Sequence, residues 1–537
     1  MNFLIRQAGV VLTVVGFFCA RPPVRAQNLD LIGVTVLRAV TTNLNGTGIR
    51  VAQPEGSFGG NPPTFEVNPS AVGQSSSRFT YISTVGTAST FPNAVGSESG
   101  HADSVGGSFY GMAGGVATNA AHVDNYDADY FYNNIIAAAN PANINAVVVN
   151  QSFIFCNADF SHFDVATEQG IDSQYDDYAA QYRTLFVSGA GNGGPTNQAR
   201  VFPSATCYNG LGVAAYGGSS CIGPTLDNGR CKPDITAPAS ATSYSTPQVS
   251  GAAAVLMQAA LRGDGGSDTN SAFDIRTVKA LLLNGAVKPA AWTNSTSSPL
   301  DARYGAGLVN LFNAYEQLAG GKHGYIVSTM VSVGGAHLPN GATGTVSALN
   351  GWDFNTNTSS SFAPARDAVN HYYFNISNSA ASAFTATATL VWNRHQNTAG
   401  INNLNLFLYN CANSNLVMCS TSAVDNVEHI FVPQLAPGRY DLQVWKAGGS
   451  GIVSASEAYA LAFAFVPQPT LALAGGVAPA LTWPVYPAGF LVETRTNLLV
   501  GAWSTNNLPV IITNGQNSIS LNLTNANRFF RLRSPNF

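Results

Sequence analysis

Between about residues 32 and 321, short β-branched runs alternate with segments of helical periodicity. That alternation predicts an α/β domain built on a parallel sheet flanked by helices. Residues 48–56 read as a strand ending in Glu55 and a glycine, residues 146–153 as an apolar strand ending in polar residues, and residues 184–193 as a buried strand ending in a glycine turn. Helices are predicted over about 165–182 and over 275–286, the latter amphipathic. The run from Ala252 to Leu261 is helix-forming and uncharged, so it reads as a fully buried helix with Pro247 in its first turn. Beyond Gly320 and Gly321 the helical pattern stops. Residues 371–376, 386–392, 404–409 and 437–444 alternate as short strands, the pattern of a β-sandwich. A smaller β unit follows from about Pro469.

The first residues have a different character. Arg6 precedes an apolar run from Ala8 to Ala20, and Val24-Arg25-Ala26 places small residues before a cut. This is the pattern of a secretory signal peptide cleaved after Ala26, and the run is short for a membrane span. The expected organisation is therefore 1–26 signal peptide, 27–321 α/β domain, 322–467 β-sandwich and 468–537 small β module. A chain of 537 residues exceeds a single core. Its formal net charge of −4 and lack of a basic tract give nucleic acid or an anionic membrane no electrostatic footing. Oligomeric state is not readable.

Without Cys19 of the signal segment, six cysteines remain: Cys156, Cys207, Cys221, Cys231, Cys411 and Cys419. In an exported chain an even number favours disulfides. Cys411–Cys419 would close a hairpin and Cys221–Cys231 a loop, leaving Cys156–Cys207; this is one of the 15 pairings that six cysteines allow. No acidic cluster has the ligand spacing of a calcium site, so structural calcium lacks support, no metal is assigned and no cofactor is required.

Candidate chemistry gathers before the buried helix, in Ala241-Thr242-Ser243-Tyr244-Ser245-Thr246-Pro247-Gln248-Val249-Ser250-Gly251. A serine at a helix N-terminus faces unpaired N–H groups and a positive dipole end, which suits a nucleophile, although Ser and Thr are also ordinary caps. Glu55 falls at the carboxyl edge of the sheet, where α/β sites gather, or is an ordinary solvated glutamate. His101, near a helix start, reads equally as a cap, and Asn192 between glycines as a plain turn.

Taken together, these segments resemble the subtilisin-like serine peptidases. Thr242-Ser243-x-x-Thr246-Pro247-x-Val249-x-Gly251 resembles the family's nucleophile motif, with Ala241 and Ser245 replacing the usual Gly and Ala. Ser99-Gly100-His101-Ala102-Asp103-Ser104 resembles its histidine helix, with Ser104 for the second histidine and Ala102 for glycine. Asn150-Gln151-Ser152 and Ala190-Gly191-Asn192-Gly193 match its groove strand and its asparagine turn. Gly223-Pro224 through Lys232-Pro233-Asp234 and Ala237-Pro238 match another segment, although the loop that usually follows is trimmed. The first catalytic strand normally ends in Asp; here the residue is Glu55. Residues 27–47 are too few for the family's folding prodomain. The resemblance, covering most of 45–320, implies a secreted serine endopeptidase acting on polypeptides. In it Ser243 is the nucleophile, His101 the base, Glu55 the acid and Asn192 the oxyanion donor; Ser152, Gly189, Ala190 and Gly191 line the substrate site. Asp103 is read as local capping or charge balance. The alternative is a catalytically inactive relative used for binding or adhesion. The β-sandwich resembles jelly-roll accessory modules.

Overall fold

The computed structural model describes residues 5–6, 24–57, 60–193, 199–326, 344–358, 369–377, 383–448, 452–475, 479–498, 500–506, 508–521 and 528–533. Most of the expected signal segment lies outside these residues, and a helix, Val24–Leu31, crosses the expected cleavage point.

Eight strands form the central sheet, numbered within it in chain order: β1 Arg50–Glu55, β2 Phe79–Ser83, β3 Gly86–Ala88, β4 His122–Asp127, β5 Val148–Gln151, β6 Leu185–Gly189, β7 Leu211–Tyr216 and β8 Ile235–Pro238. Their spatial order is β8-β7-β6-β5-β1-β4-β2-β3. All neighbours run parallel except β3, which closes an antiparallel hairpin on β2. The inner strands are buried on both faces, as parallel strands covered by helices must be: every residue of β5 and β6 is inaccessible. Strand order reverses at β1, so the carboxyl ends of β1, β5 and β6 open onto one edge, where such sheets place their sites.

Against this sheet lies the helix Thr242–Arg262, buried over nearly its whole length. Its small residues allow close approach. A Cβ added at Gly251 would stand 2.5 Å from Val116 Cβ, so only glycine fits there. The Lys-Pro-Asp sequence at 232–234 proves structural. Asp234 accepts from Lys232 Nζ at 2.6 Å, from Lys279 Nζ at 3.1 Å and from the Gly212 backbone at 2.7 Å. This ties β7, β8 and the helix Ile275–Asn284 together. Burial lowers the Lys279 ammonium to about 8, with Asp234 opposing the shift.

After the helix Leu311–Ala319, only strands follow among the described residues. Two four-stranded antiparallel sheets share one core. Tyr372, Phe374, Leu406 and Leu442 contribute from one sheet, and Leu390, Trp392, Leu461 and Phe463 from the other. This unit packs on the α/β domain. Thr389 Oγ1 donates to Asn284 Oδ1 at 2.9 Å, and Trp352 Nε1 to the Leu318 carbonyl at 3.2 Å. Two small antiparallel sheets complete the chain around Leu481, Trp483, Val492 and Ile519.

None of the three expected cysteine pairings is formed. Strand register explains the first: Cys419 stands opposite Phe407, four residues from Cys411. That is about 13 Å along a strand, well beyond the ~7 Å Cα limit of a disulfide. In the 221–232 hairpin, Thr225 pairs with Arg230 and Gly223 lies against Lys232, which offsets Cys231 from Cys221 by about three residues. Cys207 belongs to the main core, whereas Cys156 and Cys221 share a separate small cluster.

Candidate active site

Glu55 ends β1 and is wholly buried, which removes the solvated-glutamate reading. Burying a carboxylate is costly unless its oxygens are bonded, and both are. Oε2 lies 2.8 Å from His101 Nδ1, and Oε1 accepts from Gln53 Nε2 at 2.8 Å. Residues 53 and 55 share one face because strand side chains alternate.

His101 is the second residue of the helix Gly100–Phe109, whose N-cap Ser99 accepts from the Ala102 backbone. With a carboxylate at Nδ1, the ring proton belongs on that nitrogen, leaving Nε2 as the acceptor. Nε2 is buried and has no hydrogen-bond partner among the described residues. Two residues on, Asp103 Oδ1 accepts from the Asn68 backbone at 2.7 Å, and burial raises its carboxyl to about 6.

Ser243 is the second residue of its helix and is 5% exposed. Pro247 is not in the first turn, because the helix starts at Thr242. In the interior a proline cannot donate to the carbonyl four residues back, which is that of Ser243. Ser152 replaces the lost donor: its Oγ reaches the Ser243 carbonyl at 3.0 Å. Ser152 Oγ accepts in turn from Asn150 Nδ2 at 3.0 Å, and Asn150 Oδ1 from Ser250 Oγ at 2.9 Å.

Asn192 caps the same helix from another loop. Its Oδ1 accepts from Thr242 N at 3.0 Å and Thr242 Oγ1 at 3.2 Å. The donor end of its amide, Nδ2, is thereby turned away from Thr242. Gly191 before it has φ +94°, a conformation that favours glycine, and a Cβ there would stand 2.8 Å from the Phe202 ring. Gly189 faces Thr242 and Thr246. The carbonyls of Ala190 and Gly191 accept from the Phe202 and Cys221 backbones. Beneath them Ile154, Cys156, Val201, Phe202 and Cys221 form a closed apolar cluster.

The structure thus joins Glu55 to His101 directly, and Ser152 and Asn192 to the start of the Ser243 helix. The two helix starts meet: the His101 and Tyr244 rings are 6.0 Å apart. Ser243 Oγ donates to the Ser152 carbonyl at 3.4 Å, and no hydrogen bond joins it to His101 among the described residues. Gln53 and Tyr110 were not anticipated, nor were the bonds of Asn150 and Ser250; the period-two alternation of β1 could have flagged Gln53. Among the described residues no group of three or more His, Cys, Asp or Glu is arranged to hold a metal ion, and no helix is long and apolar enough to cross a membrane.

No curated protein matches the sequence. Several solved structures are similar at low identity. The prenylagaramide maturation protease PagA is 19% identical, covering 54% of this chain and 99% of that one with a TM-score of 0.33. The PatG macrocyclase in complex with a peptide is 17% identical over 54% and 97%, with a TM-score of 0.38. A protease from Pseudoalteromonas arctica is 18% identical over 54% and 94%, with a TM-score of 0.31. The subtilase family model, Peptidase_S8, matches residues 85–307, a span that holds His101, Asn192 and Ser243 and begins after Glu55. Over residues 85–307 the chain is thus similar to the peptidase domain of the subtilase family.

Proposed function

We propose that the protein is a secreted serine endopeptidase using Glu55, His101 and Ser243, with Asn192 as an oxyanion donor. The observation that supports this most is the 2.8 Å contact of His101 Nδ1 with a wholly buried carboxylate. It leaves Nε2 as an acceptor beside the helix that carries Ser243. Ser243 Oγ attacks the scissile carbonyl carbon as His101 Nε2 takes its proton, and Glu55 holds the imidazolium that forms. The oxyanion accepts from Asn192 Nδ2 and from the Ser243 backbone N–H, whose place in the first turn gives it no intrahelical acceptor. Collapse expels the amine, which takes the proton from His101; water then repeats the sequence on the acyl-enzyme. A catalytic hydrogen bond that is absent or poorly aligned in an unliganded site commonly forms only with substrate bound. Neither the family match nor the geometry favours an inactive adhesive role.

The test is hydrolysis of a mixture of internally quenched peptides by the secreted protein, with products sized by mass spectrometry. Internal cleavage that is abolished by Ser243→Ala and His101→Ala is expected. Terminal trimming alone would overturn the endopeptidase assignment, and cleavage by both variants would overturn the triad. N-terminal sequencing of the mature protein tests export, with Gln27 expected first.

A further inference from the structure

We propose that Gln53 and Tyr110 are positioning residues that lock the Glu55 carboxylate against His101; this rests on the triad reading above. Glutamate carries one more rotatable bond than aspartate, so a contact from His101 to one oxygen leaves the carboxylate able to pivot about it. A second anchor on the other oxygen removes that freedom, and Gln53 supplies it. Its amide is wholly buried, and its two N–H groups are directed to different partners: Glu55 Oε1 at 2.8 Å and the Ala102 carbonyl at 3.0 Å. Ala102 adjoins His101 in the chain, so one amide clamps the acid to the backbone of the helix that carries the base.

The amide would be free to flip if nothing held its oxygen. Tyr110 holds it: its hydroxyl donates to Gln53 Oε1 at 2.5 Å. With both Gln53 N–H groups committed, that oxygen can only accept, which fixes the direction of every bond in the chain from Tyr110 through Gln53 to Glu55 and His101. Room for the hydroxyl comes from Gly106. A Cβ there would stand 2.8 Å from Tyr110 Oη, so the helix keeps a glycine where the phenol passes. Tyr110 is itself 1% exposed and bonds Gln53, which in turn bonds the acid.

The test uses the full-length protein and an alkyl fluorophosphonate, whose saturation kinetics give a binding constant and a maximal rate of serine modification. Gln53→Met keeps the volume and removes the amide; Tyr110→Phe removes one oxygen. Folding of each is checked by circular dichroism. The maximal rate is expected to fall about 10-fold to 100-fold in Gln53→Met, the range for losing a hydrogen bond to a charged group, and less in Tyr110→Phe, with probe binding unchanged in both. Tyr110→Phe added to Gln53→Met should cost nothing further. The far-downfield proton of the His101–Glu55 bond should shift in both variants. A folded Gln53→Met or Tyr110→Phe that reacts at the wild-type rate with that resonance unmoved would overturn the proposal. Full additivity in the double variant would also overturn it. Failure of the wild type itself to label at Ser243 is a different result, and it removes the triad reading beneath.

Discussion

Ser152→Ala probes the backbone of the nucleophile without touching its hydroxyl. In the wild type Ser152 Oγ donates to the Ser243 carbonyl at 3.0 Å, the carbonyl left without a helical donor by Pro247. Alanine leaves that buried carbonyl unpartnered, at a cost of about 1–3 kcal/mol, and strips Asn150 Nδ2 of its acceptor for about 1 kcal/mol more. Pro247→Ala restores an N–H in line with the same carbonyl. The two substitutions should therefore couple: the cost of Ser152→Ala in a Pro247→Ala background should shrink by about 1 kcal/mol or more. Urea unfolding, followed by the helical circular dichroism signal, measures this. The described helices all lie within residues 24–319, so that signal reports the α/β domain. A Ser243→Ala background prevents self-cleavage and keeps the carbonyl. Strict additivity of the two costs would refute the replacement-donor account.

Other consequences concern buried charge. Asp234→Asn leaves Lys232 and Lys279 buried without their shared acid and should destabilise the domain by about 3–5 kcal/mol in the same assay. Adding Lys279→Met should recover part of that loss. Among the described residues no carboxylate contacts the buried Lys288, its Nζ donating to the Ala306 carbonyl at 2.5 Å and facing the Trp292 and Phe431 rings; burial lowers it to about 7. Between about pH 7 and its unfolded value near 10.4, the unfolded chain holds a proton that the folded one lacks. Stability from this group should therefore rise with pH across that window. Lys288→Met should flatten the rise and stabilise the protein at pH 7 by on the order of a few kcal/mol, read from urea midpoints taken at successive pH values.

Local pattern carried much of the architecture. The helix at 165–182 and the ends of β1 and β6 follow from periodicity and glycine punctuation alone. What eluded the sequence was non-local. Glu55 read either as a site residue or as a solvated glutamate, because its burial depends on His101, on a different element, and on an amide from Gln53. The start of the Ser243 helix was placed too late because its N-cap is Ala241, which has no capping side chain. The cap comes instead from Asn192, far away in sequence. The cysteine pairings failed for a similar reason: spacing says nothing of register, and register sets Cys411 and Cys419 apart. In the candidate site the resemblance supplied Asn150, Ser152 and Ser250 as motif residues, but not the bonds that join them or the Tyr110–Gln53 clamp.

The most direct test of the central claim is mass-spectrometric mapping of fluorophosphonate adducts on wild type, Ser243→Ala and Glu55→Ala. The account predicts one adduct, on Ser243, absent in Ser243→Ala and formed roughly 10⁴-fold more slowly in Glu55→Ala, the scale of losing a triad acid. A folded wild type without an adduct at Ser243 would contradict it, as would an adduct formed equally fast without Glu55.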